Sequence, residues 1–96
     1  MAADANDITI NYEEDGRLIV KELDKEILSK GAWTTIIFKY QEMNRGTGEY
    51  GAEKYTIRRY QKRNDAYFPK SKFNISSPTQ AKKLVDVLEK WLDQSR

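Results

Sequence analysis

One helix start divides this chain. Ser77-Pro78-Thr79-Gln80 puts Ser at the N-cap, Pro at the first helical position and Gln three residues after the cap. Together these form a capping box whose proline has the fixed φ of a first helical turn. Beyond it Ala81, Leu84, Val85, Leu88 and Leu92 recur at helical spacing, and Val87 and Trp91 widen the apolar arc. Lys82, Lys83, Asp86, Glu89 and Lys90 line the other side. Before the cap, apolar residues alternate with period two or gather in β-branched runs. The pattern predicts an α+β domain, strands first and then one C-terminal helix, from Pro78 to about Asp93, packed on the sheet. So broad an arc on so small a domain also predicts a dimer interface through Leu84, Val87, Leu88 and Trp91.

The strand region reads in order. Residues 1–6 are small and acidic, which predicts a disordered start without the basic and apolar regions of a signal peptide. Ile8, Ile10 and Tyr12 alternate with Thr9 and Asn11, and Asp15-Gly16 is a strong turn signal. With residues 17–23 as the return strand, 7–23 is expected to be an N-terminal β-hairpin. Residues 24–29 fit a turn, a short helix or a continued strand. Residues 33–41 form the strongest strand by propensity, and apolar groups on both faces make it central or covered by a partner. In residues 54–62, Tyr55 and Ile57 point one way, and Lys54, Thr56, Arg58, Tyr60 and Lys62 the other. Asn64-Asp65 predicts a turn and Pro69 an irregular or edge position. Residues 72–76 read as a short strand with Phe73 and Ile75 inward and Lys72 and Asn74 outward. The whole is one domain of 96 residues, an antiparallel β-β-β-β-α core over 33–94 behind the hairpin.

Composition removes several function classes. The chain has no Cys and no His, so it holds no disulfide, thiolate nucleophile, His-based triad or Cys/His zinc site. Glu13, Glu14, Asp15, Glu22, Asp24 and Glu26 cluster around a predicted turn with nothing to orient them, and read as solvated carboxylates rather than an acid–base pair. No catalytic residue, cofactor or metal is expected. Gly46-Thr47-Gly48-Glu49-Tyr50-Gly51 has the spacing of a dinucleotide fingerprint, but that motif needs a helix to follow and here a strand does. A hairpin loop is the expectation. No apolar run approaches the ~20 residues of a membrane span, which predicts a soluble, cytoplasmic protein, nucleoid-associated if bacterial.

A net charge of +2 hides an uneven distribution: −5 over residues 1–29, +6 over 30–73 and +1 over 74–96. Phosphate neutralisation by Lys and Arg supplies most non-specific nucleic-acid affinity, so a polyanion would dock on the middle of the chain. There the cations interleave with rings. A basic track with rings that accept unstacked bases, at about 1–3 kcal/mol each, suits single strands, because a duplex hides its ring faces. The residues expected to bind are Lys39, Tyr40, Arg58, Tyr60, Lys62, Arg63 and Lys72, with Trp33 and Phe68 as further rings. For the aromatics the competing role is sheet packing, and for Arg58 and Lys72 a solvated strand edge. The rival class is a protein-interaction module working through the apolar helix face. A third possibility is that the acidic N-terminal segment folds over the basic sheet as an internal competitor.

Tyr55-Thr56-Ile57-Arg58-Arg59-Tyr60, then Pro69-x-x-Lys72 and Ser77-Pro78-Thr79-Gln80, give residues 33–94 a spacing that resembles the transcriptional coactivator positive cofactor four family and its bacterial single-stranded DNA-binding relatives. The resemblance implies a four-stranded antiparallel sheet followed by a helix, paired into a homodimer through the helices. It also implies single-stranded DNA (or RNA) as ligand and the transcription machinery as a further partner. By position it makes Arg58 and Lys72 phosphate contacts and Tyr40 a stacking ring. Gln61 stands where the family often has Trp, and Phe68 where a basic residue often precedes the proline. The hairpin at 7–23 lies outside the pattern.

Overall fold

The computed structural model describes residues 4–94. Five antiparallel strands form one curled sheet in the order β1-β2-β3-β4-β5, followed by one helix. The strands are β1 (Tyr12–Glu14), β2 (Arg17–Ser29), β3 (Trp33–Glu42), β4 (Lys54–Arg63) and β5 (Ala66–Ile75), and the helix is α1 (Pro78–Gln94). β3 is central, as its two apolar faces predict. The β1–β2 turn places Asp15 at φ 50° and Gly16 at φ 77°, the pair of positive values that a two-residue hairpin turn demands. Asn64 and Asp65 repeat that geometry, at 52° and 62°, between β4 and β5. Residues 43–53 form a loop and β4 follows them directly, so the glycine motif opens no helix.

Three expectations need correction. The N-terminal hairpin forms, but its first strand, expected from Ile8, begins only at Tyr12. Residues 8–11 are extended but outside the ladder, and β1 is only three residues long. Of the predicted disordered start, residues 1–3 lie outside the described residues, whereas Ala5–Asp7 form a 3₁₀ turn with Ala5 buried. The third difference is length. Of the alternatives for residues 24–29 the continued strand holds, with β2 running to Ser29. The strand expected at 72–76 is too short, because the pairing with β4 extends β5 back to Ala66 through Pro69. Bulges hid both strands. Ile19, Leu23 and Leu28 are unpaired steps in the register of β2, and Lys70 is the extra residue of β5 between Pro69 and Ser71. Each such step bends the strand and breaks its period-two signal.

The core sits on one side of the sheet. Ile36, Phe38 and Tyr40 of β3, Tyr60 of β4 and Tyr67 of β5 close on Ala5, Ile8 and Ile10, with Val20 and Ile27 packed against them. Residues 4–10 thus form a strap across this face, hooked to β2 by two side chains. Lys25 Nζ donates to the carbonyls of Asn6 and Ile8, at 2.6 Å each. The Glu22 carboxylate accepts from the Thr9 hydroxyl at 2.7 Å and the Ile10 amide at 3.3 Å. Burial of the two isoleucines is worth about 3–6 kcal/mol and the four hooks about 4–8.

The helix covers the opposite side. Its cap forms as expected: the Gln80 amide donates to Ser77 Oγ at 3.1 Å, and the Gln80 side chain accepts from the Ser76 amide at 2.9 Å. Ala81, Leu84, Val85 and Leu88 face Ile37, Tyr55, Ile57, Phe73 and Ile75 across an apolar cleft of ≈ 240 Å³. No residue of α1 is buried. No helix among the described residues is long and apolar enough to cross a membrane.

Candidate nucleic-acid interface

The sheet divides the nine expected binding residues between its two sides. Register places Tyr40, Arg58, Tyr60, Lys62 and Lys72 on the strap side and Trp33, Lys39, Arg63 and Phe68 on the helix side. They cannot act as one surface. The face of Lys54, Thr56, Arg58, Tyr60 and Lys62, polar as it is in sequence, borders the core. Thr56 is fully buried there and Tyr60 is 5% exposed. Thr56 satisfies its hydroxyl by donating to Asn74 Oδ1 at 2.7 Å, which lets a polar residue lie inside at little cost.

Arg58 and Lys72 stand directly opposite each other on β4 and β5. Like charges at such a pair destabilise a sheet by roughly 0.2–1 kcal/mol. Lys70, pushed out by the bulge, joins them with Pro69 and Ser71 around a notch of ≈ 250 Å³. Among the described residues the ion pairs are Arg45–Glu14, Lys54–Glu42 and Lys82–Asp86, so no carboxylate neutralises this trio. Arg58 Nε donates a long bond, 3.4 Å, to Thr56 Oγ1, and the guanidinium also bonds to the Tyr60 phenol. Three cations around a notch with no acid in its lining form a positively charged patch that can receive an external anion.

Beside the notch lie two buried rings. Burial pushes the Tyr60 phenol above its ordinary range, an effect that Arg58 opposes and Glu22 reinforces. Burial raises Tyr40 as well, with Glu42 adding to it and Lys54 and Arg58 pulling back. Arg58 therefore lies close enough to act on both phenols, and both stay neutral. Tyr40 is 7% exposed, so its face is closed to a base while the strap is in place. Lys62 stands over the Tyr67 ring, 5.7 Å from its centroid, at the other end of the same side.

The helix side offers a different set. The Arg59 guanidinium lies 4.6 Å from the centroid of the Trp33 ring, a cation–π stack that sequence reasoning missed. The signal was available: Trp33 pairs with Gln61, which makes Arg59 its diagonal neighbour. Phe68 pairs with Gln61 from β5 and half-buries on the same side. Lys39 lies opposite Asp24 in the ladder, apart from the cationic notch. Lys70 was also missed, because only the bulge places it with Arg58. The predicted dimer residues Leu84 and Val87 are half-buried, and Leu88 and Trp91 are 54% and 59% exposed.

No protein-family model, curated protein or solved structure matches the chain. The family resemblance therefore rests on the spacing of the chain's own residues.

Proposed function

We propose that this chain is a non-enzymatic single-stranded nucleic-acid-binding protein that works as a homodimer. The observation that carries the reading is the unneutralised trio of Arg58, Lys70 and Lys72 around the β5 bulge. A fold gains nothing by facing two cations across a ladder, whereas a phosphate chain gains from both. Lys62 extends the track along the same side. Rings supply the second element, with Tyr40 and Tyr60 behind the notch, whereas Trp33 and Phe68, on the far side of the sheet, lie outside this track. Single-stranded DNA is the favoured ligand, RNA its nearest substitute, and the setting a transcription cofactor or strand-protecting protein in the cytoplasm.

Dimerisation is supported by what the monomer leaves uncovered. The chain exposes 6889 Å², about 1,200 Å² more than a monomer of its mass ordinarily does. Phe73, Val85, Leu88, Trp91 and Leu92 are large apolar side chains among the exposed ones. A second copy would cover them at a cost in area typical of stable interfaces, about 800 Å² per partner. The same apolar cleft favours one rival reading, a protein-interaction module that binds through α1.

Fluorescence anisotropy of a labelled single-stranded oligonucleotide, with matched duplex as competitor, separates the readings. With four cations engaged, the salt slope should be near −3, so affinity falls about 50-fold between 50 and 200 mM salt. Duplex should compete poorly. Binding that salt leaves unchanged, or no binding at low salt, would sink the nucleic-acid reading and leave the protein-interaction module standing.

A further inference from the structure

We infer that the strap, residues 4–10, is a removable cover on the nucleic-acid face, and that a single strand reaches Tyr40 and Tyr60 only by displacing it. The inference rests on the binding reading above and adds its regulation.

Three observations converge. First, the strap covers the rings beside the cations: Ala5, Ile8 and Ile10 share one buried cluster with Tyr40 and Tyr60. Arg58 ties those phenols to the notch it forms with Lys70 and Lys72. Second, the strap joins no ladder. Residues 8–10 belong to no strand, and the hooks come from the side chains of Glu22 and Lys25 on β2. Detachment would break side-chain bonds and leave the five-stranded sheet paired, with Asn11 as the hinge before β1. Third, the buried plug is small and apolar, so a base stacked on the uncovered tyrosines would restore the apolar cover that Ile8 and Ile10 give up. Asp4 and Asp7, both exposed, carry negative charge onto this side, where a phosphate chain would repel them.

A cover of this kind lowers apparent affinity by the fraction of molecules that are open. Anything that loosens it should tighten binding. The test is hydrogen exchange on the full chain, free and saturated with a thymidine dodecamer, together with the dodecamer affinity of Lys25→Met. That variant keeps the aliphatic stem and loses both bonds to the strap carbonyls. The Ile8 amide, which donates to Ala5, and the Ile10 amide, which donates to Glu22, should exchange at least about tenfold faster in the complex. Lys25→Met should bind about tenfold more tightly than the parent. Strap amides that keep their protection in a saturated complex would overturn the inference and leave the binding reading intact. So would a Lys25→Met variant that binds no better. A dodecamer that binds neither protein would remove both readings together.

Discussion

The two sides of this sheet are built from the same strands and hold their covers in opposite ways. On the strap side a segment of seven residues is fastened by Lys25 and Glu22 over Phe38, Ile36 and three tyrosines. On the helix side 17 residues of α1 lie over a wholly apolar cleft, and none of them is buried. The shorter cover closes its face and the longer one does not. Polar hooks position a short segment closely at small net free energy, whereas apolar surface alone positions loosely until enough area is gathered. On the proposals above, the helix side is the one that gains from a second copy, and the strap side is the one that opens.

The largest effect expected from this contrast is in the core. Phe38→Ala, at a fully buried position on the strap side, should cost about 3–5 kcal/mol in urea denaturation. Ile57→Ala on the half-buried helix side should cost only about 1–2 kcal/mol in the monomer. Equal losses would break the comparison. Next comes the interface. Leu88→Arg should place an unpaired charge in the proposed dimer contact, at about 3 kcal/mol or more. On the proposed dimer, sedimentation equilibrium should show a dimeric parent and a monomeric variant, with the helical circular dichroism retained. An unchanged dimeric mass would remove α1 from the contact, and a monomeric parent would overturn the proposed dimer.

Arg58→Ala sharpens the comparison from the ligand's side. It should relieve the repulsion from Lys72 and raise stability by roughly 0.2–1 kcal/mol, while lowering the salt slope of oligonucleotide binding by about 0.7. Loss of stability together with unaltered binding would make Arg58 a structural residue. The last effect is on pH. Tyr40 and Tyr60 hold their protons above the ordinary value of 10.0. The folded chain therefore binds protons that the unfolded chain releases once pH exceeds about 10. The stability contributed by these two burials is complete below that pH and declines as pH rises through the folded values. A urea midpoint that falls in this range for the parent but not for the Tyr40→Phe, Tyr60→Phe double variant would assign the decline to these rings.

Much of the fold was legible because its signals are local. The cap at Ser77, the turns at Asp15-Gly16 and Asn64-Asp65, and the run from Trp33 each depend on residues within a few positions of one another. The bulged strands were harder to see. Bulges at Leu23 and Leu28 spoil the alternation of β2, and Pro69 with Lys70 spoils that of β5. The residues expected to bind were legible as types but not as a surface. Strand parity correctly separated Tyr55 and Ile57 from Arg58 and Tyr60, yet it could not say which side would be covered. Lys70 changed its significance only because a bulge shifted it beside Arg58.

The sequence by itself determined the α+β order, the central place of β3, the helix boundary and the concentration of positive charge between residues 30 and 73. All of these follow from backbone preference and composition, which act over short distances. Only the tertiary structure decided that residues 4–10 would cover the tyrosines, because that cover depends on Ile8, Ile10 and two hooks contributed by β2, up to 19 positions away. A side chain's exposure is a property of what lies over it, and no local pattern around Tyr60 records the arrival of Ile10.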